Sequence, residues 1–251
     1  MQERVSTLQE QVRQLVGERP VTIVAVSKYA TVEQIRQAYA TGLRHFGESR
    51  IQDALAKMEA LPDSDYPGIQ WHFIGTLQTN KVTKTVNRFS LVHSLDSMRL
   101  AQALSQANRS AGIRQPVLLQ INSTPLGVRR GFQPEEVQAA LPELLQLPGL
   151  KVNGLMTMAP PDVSLNNDEM ALNQTFESLR LLRDQLSLSC RQTLQMFSSA
   201  ENISKSSVEC AFSELSMGMS RDFPFALANG ATIIRVGNYL FQTGENATVG
   251  I

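Results

Sequence analysis

Eight short strand-like segments, several of them apolar or β-branched, punctuate this chain, and most give way to a segment with helical periodicity. They fall at 21–26, 45–48, 70–75, 91–95, 116–122, 152–158, 214–217 and 232–236. Helical pattern is expected over 32–41, 50–61, 78–86, 98–110, 134–145, 167–188 and 222–229. Alternating units of this kind read as a parallel sheet with right-handed crossovers. Continuous apolar runs such as Val21 to Val26 read as strands buried on both faces. Eight units within 251 residues favour one closed (β/α)8 TIM barrel, which typically takes ~250 residues, over an open doubly wound sheet.

A single domain is therefore expected over 1–251, with an added N-terminal helix over 1–18. That helix carries Val5, Leu8, Val12, Leu15 and Val16 on one side. The stretch 189–211 is polar and serine-rich and is left unassigned, with Leu194 to Phe197 as a candidate edge element.

Lys plus Arg and Asp plus Glu both total 23, so no global field points to nucleic acid or to a membrane surface. No apolar stretch approaches the ~20 residues of a membrane-spanning helix, and the N-terminus lacks the apolar centre of a secretory signal. The two cysteines, Cys190 and Cys210, fit free thiols in a reducing compartment better than a disulfide framework. A cytoplasmic protein is expected.

In barrels of this kind the chemistry sits at the C-terminal ends of the strands. Residues expected there include Lys28, Glu48, Ser49, His72 to Gly75, Asp96, Asn122, Met156 to Met158, Ser216 to Ser220, and Arg235 to Asn238. Lys28 follows the first strand, where a partly desolvated amine can act as a nucleophile toward carbonyls. Taken alone, it reads as a solvated loop lysine. Ser216-Met217-Gly218-Met219-Ser220 runs into a helix that Ser220 can cap. Arg235-Val236-Gly237-Asn238 follows the eighth strand, where barrels often build the other half of a phosphate site. Singly, Ser220 is a plain cap and Gly237 a tight turn; two such loops on adjacent strands favour phosphate. A lysine facing that cradle suits a ligand with a carbonyl at one end of an aromatic ring and a phosphate at the other. Pyridoxal 5'-phosphate has this shape, and an imine with Lys28 would hold it. Arg235 would then face the ring nitrogen and keep it unprotonated; the alternative is a pairing with Glu201 or Glu214.

The segments Ala25-Val26-Ser27-Lys28, His45-Phe46-Gly47-Glu48, Trp71 to Lys81, Gly154 to Met158, Leu215 to Ser220 and Arg235-Val236-Gly237 follow one another in a known order. In them the chain resembles the pyridoxal phosphate homeostasis protein family, over about residues 20 to 242. The resemblance implies a barrel of the alanine racemase N-terminal-domain type with Lys28 as the imine lysine. It implies phosphate contacts from Ser220, Gly237 and Asn238, with Ser216 and Met217 nearby, and Arg235 at the pyridine nitrogen. His72, Ile74 and Asn80 match the motif that lines or supports the ring pocket. Departures from the family pattern fall at Ser49, Arg129, Asn238 and Gln242, and 187–212 reads as an insertion.

The competing reading is an amino-acid racemase, which needs a base or acid on each face of the substrate. Lys28 alone is nominated. Tyr29 is read as packing on the far side of an extended chain, and 242–251 leave no room for a β-rich second domain. A lyase of aldolase type using Lys28 is the more distant alternative. The expectation is a non-catalytic carrier in vitamin B6 homeostasis and amino-acid and keto-acid balance. We assign no catalytic residue and no metal ligand. PLP-dependent apoenzymes are the expected recipients, and a monomer or weak dimer the expected state.

Overall fold

A computed structural model describes residues 1–123, 130–166, 168–199 and 212–241. Its strands are β1 (Thr22–Val26), β2 (His45–Glu48), β3 (Gln70–Phe73), β4 (Leu91–Leu95), β5 (Gln115–Gln120), β6 (Leu150–Met156), β7 (Glu214–Ser216) and β8 (Ile233–Val236). They pair in sequence order, all parallel, and β8 closes on β1 with Thr22 opposite Ile233 and Ala25 opposite Val236. The strands are therefore largely buried between neighbours and a helical outer layer, as the apolar run of β1 requires. The expected TIM barrel is the fold.

Outside the strands lie α1 (Gln2–Val16), α2 (Val32–Ala40), α3 (Ile51–Ala60), α4 (Met98–Ser110), α5 (Pro134–Gln146), α6 (Pro161–Asn166), α7 (Glu169–Ser199), α8 (Phe223–Ala228) and α9 (Asn238–Phe241). The added N-terminal helix, α1, packs against α2, α8 and α9 through Val5, Leu8 and Val12, while Leu15 is exposed rather than on the packed side. Arg19 ties the end of α1 to α8, donating to the carbonyls of Leu227 and Ala231 at 2.7 and 2.6 Å.

Four local expectations change. Thr79–Thr85 is a 3₁₀ helix rather than an α-helix; its β-branched threonines and Val82 resist the α conformation, and Thr85 Oγ1 bonds back to the Val82 carbonyl at 2.7 Å. The segment Leu194–Phe197 is not an edge element, because α7 runs through it to Ser199. Its buried stripe, Leu172, Phe176, Leu179, Leu182, Leu186 and Cys190, keeps helical spacing past the serines. Cys190 is disulfide-bonded, against the free-thiol expectation; Cys210, Arg129, Glu201, Gln242 and most of 187–212 beyond α7 lie outside the described residues. The helix after β7 starts at Phe223 with Asp222 in the cap position, so Ser220 is not its cap.

Among the described residues no helix is long and apolar enough to cross a membrane. One glycine shows how tightly the barrel is closed. A Cβ at Gly154 in β6 would run into the Glu214 backbone of β7. Gly154→Ala should therefore cost about 3 kcal/mol or more, read as a lowered urea midpoint; an unchanged midpoint would show that β6 and β7 can part without loss.

Candidate cofactor site

The strand ends at β1, β7 and β8 frame a cavity of about 320 Å³ at the C-terminal mouth of the barrel. Of the residues expected to form a site, Lys28, Ile74, Ser220, Arg235, Gly237 and Asn238 line it. His72, Ser216 and Met217 are buried beneath it, and Asn80 is exposed on the 3₁₀ helix, away from its wall. Ser49, Ser164, Arg221 and the methionines Met156, Met158 and Met219 complete most of the lining.

Lys28 sits in a β-turn, not an extended chain, because the Ala30 N–H donates to the Ser27 carbonyl at 2.8 Å. Strand alternation stops at Val26, so Tyr29 is not packed behind the lysine. It is 74% exposed, and the Lys28 ammonium lies 5.0 Å from its ring centre. Lys28 itself is exposed rather than half-buried. A capping box follows at once: Thr31 Oγ1 accepts from the Gln34 N–H, and the Gln34 amide oxygen accepts from the Thr31 N–H. Gln34 also donates to the Phe241 carbonyl at 3.2 Å, so one residue holds the lysine turn beside α9.

Below the turn, Glu48 is fully buried at the end of β2. Its Oε1 accepts from Ser27 Oγ at 2.6 Å and from Lys57 Nζ at 2.8 Å, and Lys57 also donates to the Ser27 carbonyl at 2.6 Å. The sequence reading missed Lys57. Its signal is a lysine one turn after buried Ala54 on the core side of α3. Lys57→Met would leave the Glu48 carboxylate buried and unpaired, so about 3–5 kcal/mol of stability should be lost. Adding Glu48→Gln to it should restore part of that loss in the same chemical denaturation; no recovery would mean the pair is not what braces the turn.

The opposite wall is built by β7 and β8. Gly218 holds φ +89°, and a Cβ there would sit 2.6 Å from Ala226 Cβ, so only glycine lets this loop pack on α8. Asp222, 1% exposed, accepts from the Met219 N–H with one oxygen and from Ser164 Oγ with the other, at 2.8 Å. It fixes the Met219-Ser220 loop against α6, a role that the sequence reading did not give it. Gly237 and Asn238 lead into α9, whose first N–H groups have no helical acceptor. A Cβ on Gly237 would meet the Val26 carbonyl oxygen and Cβ at 3.0 Å, so the backbone of the cradle lies directly on β1.

Arg235 is 5% exposed. One terminal nitrogen donates to Ser216 Oγ at 2.6 Å and the other to the Thr157 carbonyl at 2.8 Å. It does not pair with Glu214, which accepts instead from Thr232 Oγ1 at 2.6 Å. Burial pushes the guanidinium down to about 10, partly opposed by Asp222, so it stays charged at neutral pH. Behind it stand all three histidines of the chain. Ser216 Oγ lies 2.8 Å from His93 Nδ1, His93 Nε2 lies 2.9 Å from His72 Nδ1, and His72 Nε2 lies 2.9 Å from His45 Nδ1. Burial, then neighbouring His45, pushes His72 down to about 3. Burial, His72 and Arg235 hold His93 well below the usual histidine range, and burial lowers His45. Among the described residues no group of acidic, histidine or cysteine side chains is arranged to hold a metal ion.

The cavity thus offers a primary amine, three cations (Lys28, Arg221 and Arg235) and no carboxylate among its described lining residues. Comparison with known proteins agrees with this geometry. A profile of the family described as "Alanine racemase, N-terminal domain" matches residues 4–244. A pyridoxal phosphate homeostasis protein of Synechocystis sp. is 38% identical over 221 residues, 88% of this chain and 90% of that one. Another, from Aquifex aeolicus, is 38% identical over 225 residues, 90% of this chain and 88% of that one. The solved structure of PipY of Synechococcus elongatus with PLP bound is 36% identical, with a TM-score of 0.78, covering 96% of this chain and 99% of that one. Barrel, cavity and sequence agree: this chain belongs to the pyridoxal phosphate homeostasis protein family and carries the alanine racemase N-terminal domain.

Proposed function

We propose that the chain binds pyridoxal 5'-phosphate in this cavity and acts as a carrier in intracellular vitamin B6 homeostasis, without catalysis of its own. The observation that carries the reading is the charge of the walls: three cations and no carboxylate among the described lining residues, around about 320 Å³. A dianionic phosphate on an aromatic ring fits both the sign and the size. The residues fit the group in kind as well. Ser220, Gly237 and Asn238 hold the phosphate, with Arg221 at hand, Arg235 faces the ring nitrogen, and Lys28 is the amine that links to the carbonyl. When bound, the group supplies an electrophilic carbonyl and an electron-accepting ring. A fixed cation opposite the ring nitrogen keeps a proton off it, which weakens that ring as an electron sink and favours holding over turnover. His72, Ser216 and Met217 act from beneath as supports. The whole chain serves as one binding domain in the cytoplasm, as a monomer or weak dimer, with PLP-dependent apoenzymes as recipients.

Mixing the purified protein with pyridoxal phosphate should give a visible band that borohydride removes, leaving the mass of one reduced adduct. Pyridoxal without its phosphate should bind at least ~10-fold more weakly, about 1.4 kcal/mol. No uptake, or equal uptake of the two aldehydes, overturns the assignment. Racemisation of free amino acids by the loaded protein would remove the carrier reading and leave the binding reading.

A further inference from the structure

The histidine row reaches from His45, half-buried at the start of β2, to Ser216 at the end of β7, so it crosses the barrel interior toward Arg235. Its direction follows from the inventory of donors. A guanidinium can only donate, so Ser216 Oγ must accept from Arg235. Ser216 has one hydrogen of its own, and its other described partner is His93 Nδ1. If the hydroxyl donates there, His93 carries its proton on Nε2 and donates to His72 Nδ1. His72 in turn carries its proton on Nε2 and donates to His45 Nδ1. The opposite order would leave the Ser216 hydrogen without a described acceptor and point every dipole the wrong way beside a cation. Each of the internal links is 2.6 to 2.9 Å long, and His72, His93 and Ser216 are 4% exposed or less.

We propose that His45, His72 and His93 form a one-way hydrogen-bond relay, each protonated on Nε2, that positions Arg235 through the Ser216 hydroxyl. Arg235 itself sets the direction of the relay, and the relay returns a fixed acceptor to Arg235. With one terminal nitrogen locked on Ser216 and the other on the Thr157 carbonyl, the guanidinium keeps one orientation toward the cavity. His93 is then a positioning residue, and so is His45, at the opposite end of the row. The consequence for ligand binding rests on the cofactor reading above, whereas the tautomers do not.

The relay is tested first without ligand. The chain has three imidazoles, so a long-range proton–nitrogen spectrum of uniformly 15N-labelled protein at pH 7.5 resolves each of them. Three neutral rings, all protonated on Nε2, are expected. A Nδ1-protonated or charged His72 or His93 overturns the proposal whether or not the protein binds any aldehyde. His45→Leu removes the final acceptor and should disturb the His72 and His93 signals, while His45→Gln, which can accept, should restore them. If His45→Leu leaves both unmoved, the relay does not extend to β2.

The link to Arg235 is read in pyridoxal phosphate titrations followed by absorbance. His93→Leu and Ser216→Ala should each weaken binding at least ~10-fold and shift the visible band. The double variant should add little to either, because both break the same link. His93→Gln, whose carbonyl can accept from Ser216, should recover wild-type absorbance and keep the test open should the leucine variant fail to fold. Wild-type affinity and spectrum in both His93 variants would overturn the positioning role. A wild type that refuses the aldehyde while showing the expected tautomers would fail the cofactor reading alone.

Discussion

Lys28→Ala is expected to abolish the borohydride-fixed adduct and to weaken uptake of pyridoxal phosphate at least ~100-fold, about 2.7 kcal/mol. The side chain is exposed in a turn that other residues hold, so its removal should leave stability within about 0.5 kcal/mol of wild type. Lys28→Arg separates charge from chemistry: it restores a cation beside the cavity but offers no amine to condense with a carbonyl. The arginine variant should thus recover part of the affinity and none of the adduct mass. The outcome that would defeat this assignment is a retained adduct in Lys28→Ala. Among the described residues Lys57 is a rival amine by placement, since it bonds to the carbonyl of Ser27. It is engaged with Glu48 at 2.8 Å, however, and its side chain is 12% exposed. Peptide mapping of the reduced adduct therefore distinguishes the two lysines directly.

The strands were legible because each parallel strand in a closed barrel is buried on both faces, leaving an apolar run bounded by polar loops. Leu91 to Leu95 falls on its expected bounds for that reason, and the amphipathic helix Met98 to Ser110 on its own because of its helical periodicity. Cavity-lining residues that end the strands or follow them were legible too, namely Lys28, Ile74, Arg235 and Gly237. What escaped depends on contacts between distant segments. Lys57 meets Glu48 from a neighbouring helix, and Asp222 reaches Met219 and Ser164 at once. The extension of α7 was hidden by serines whose local preference is against helix, although the buried stripe from Leu172 to Cys190 continued at helical spacing. Tyr29 was misplaced because strand alternation was carried two residues beyond the point where the chain turns. The histidine row was invisible in sequence, since its members stand on three different strands and nothing local relates them.

That row should also make the fold sensitive to mild acid. In the unfolded chain a histidine protonates near its ordinary value of 6.5, whereas in the folded protein burial holds His72 down to about 3 and His93 well below the usual range. The folded state therefore binds fewer protons than the unfolded state below pH ~6.5, and stability falls as pH falls. The contribution of His72 is fully present above pH 6.5 and is lost progressively down to about 3. By pH 5 keeping the His72 imidazole neutral costs roughly 2 kcal/mol, a sizeable part of an ordinary domain's ~5–15, and His93 adds to the loss in the same direction. His45, half-buried and lowered by burial, adds to the same slope. Carboxylates in unfolded chains titrate mainly near pH ~4, so a loss already under way between pH 7 and 5 belongs to the histidines. Urea midpoints measured across that interval should drop steadily, and His72→Gln combined with His93→Gln should flatten the drop even if it lowers the midpoint at pH 7. A midpoint that stays level from pH 7 to 5 in the wild type would mean that the barrel interior admits the protons and that burial does not hold these rings neutral.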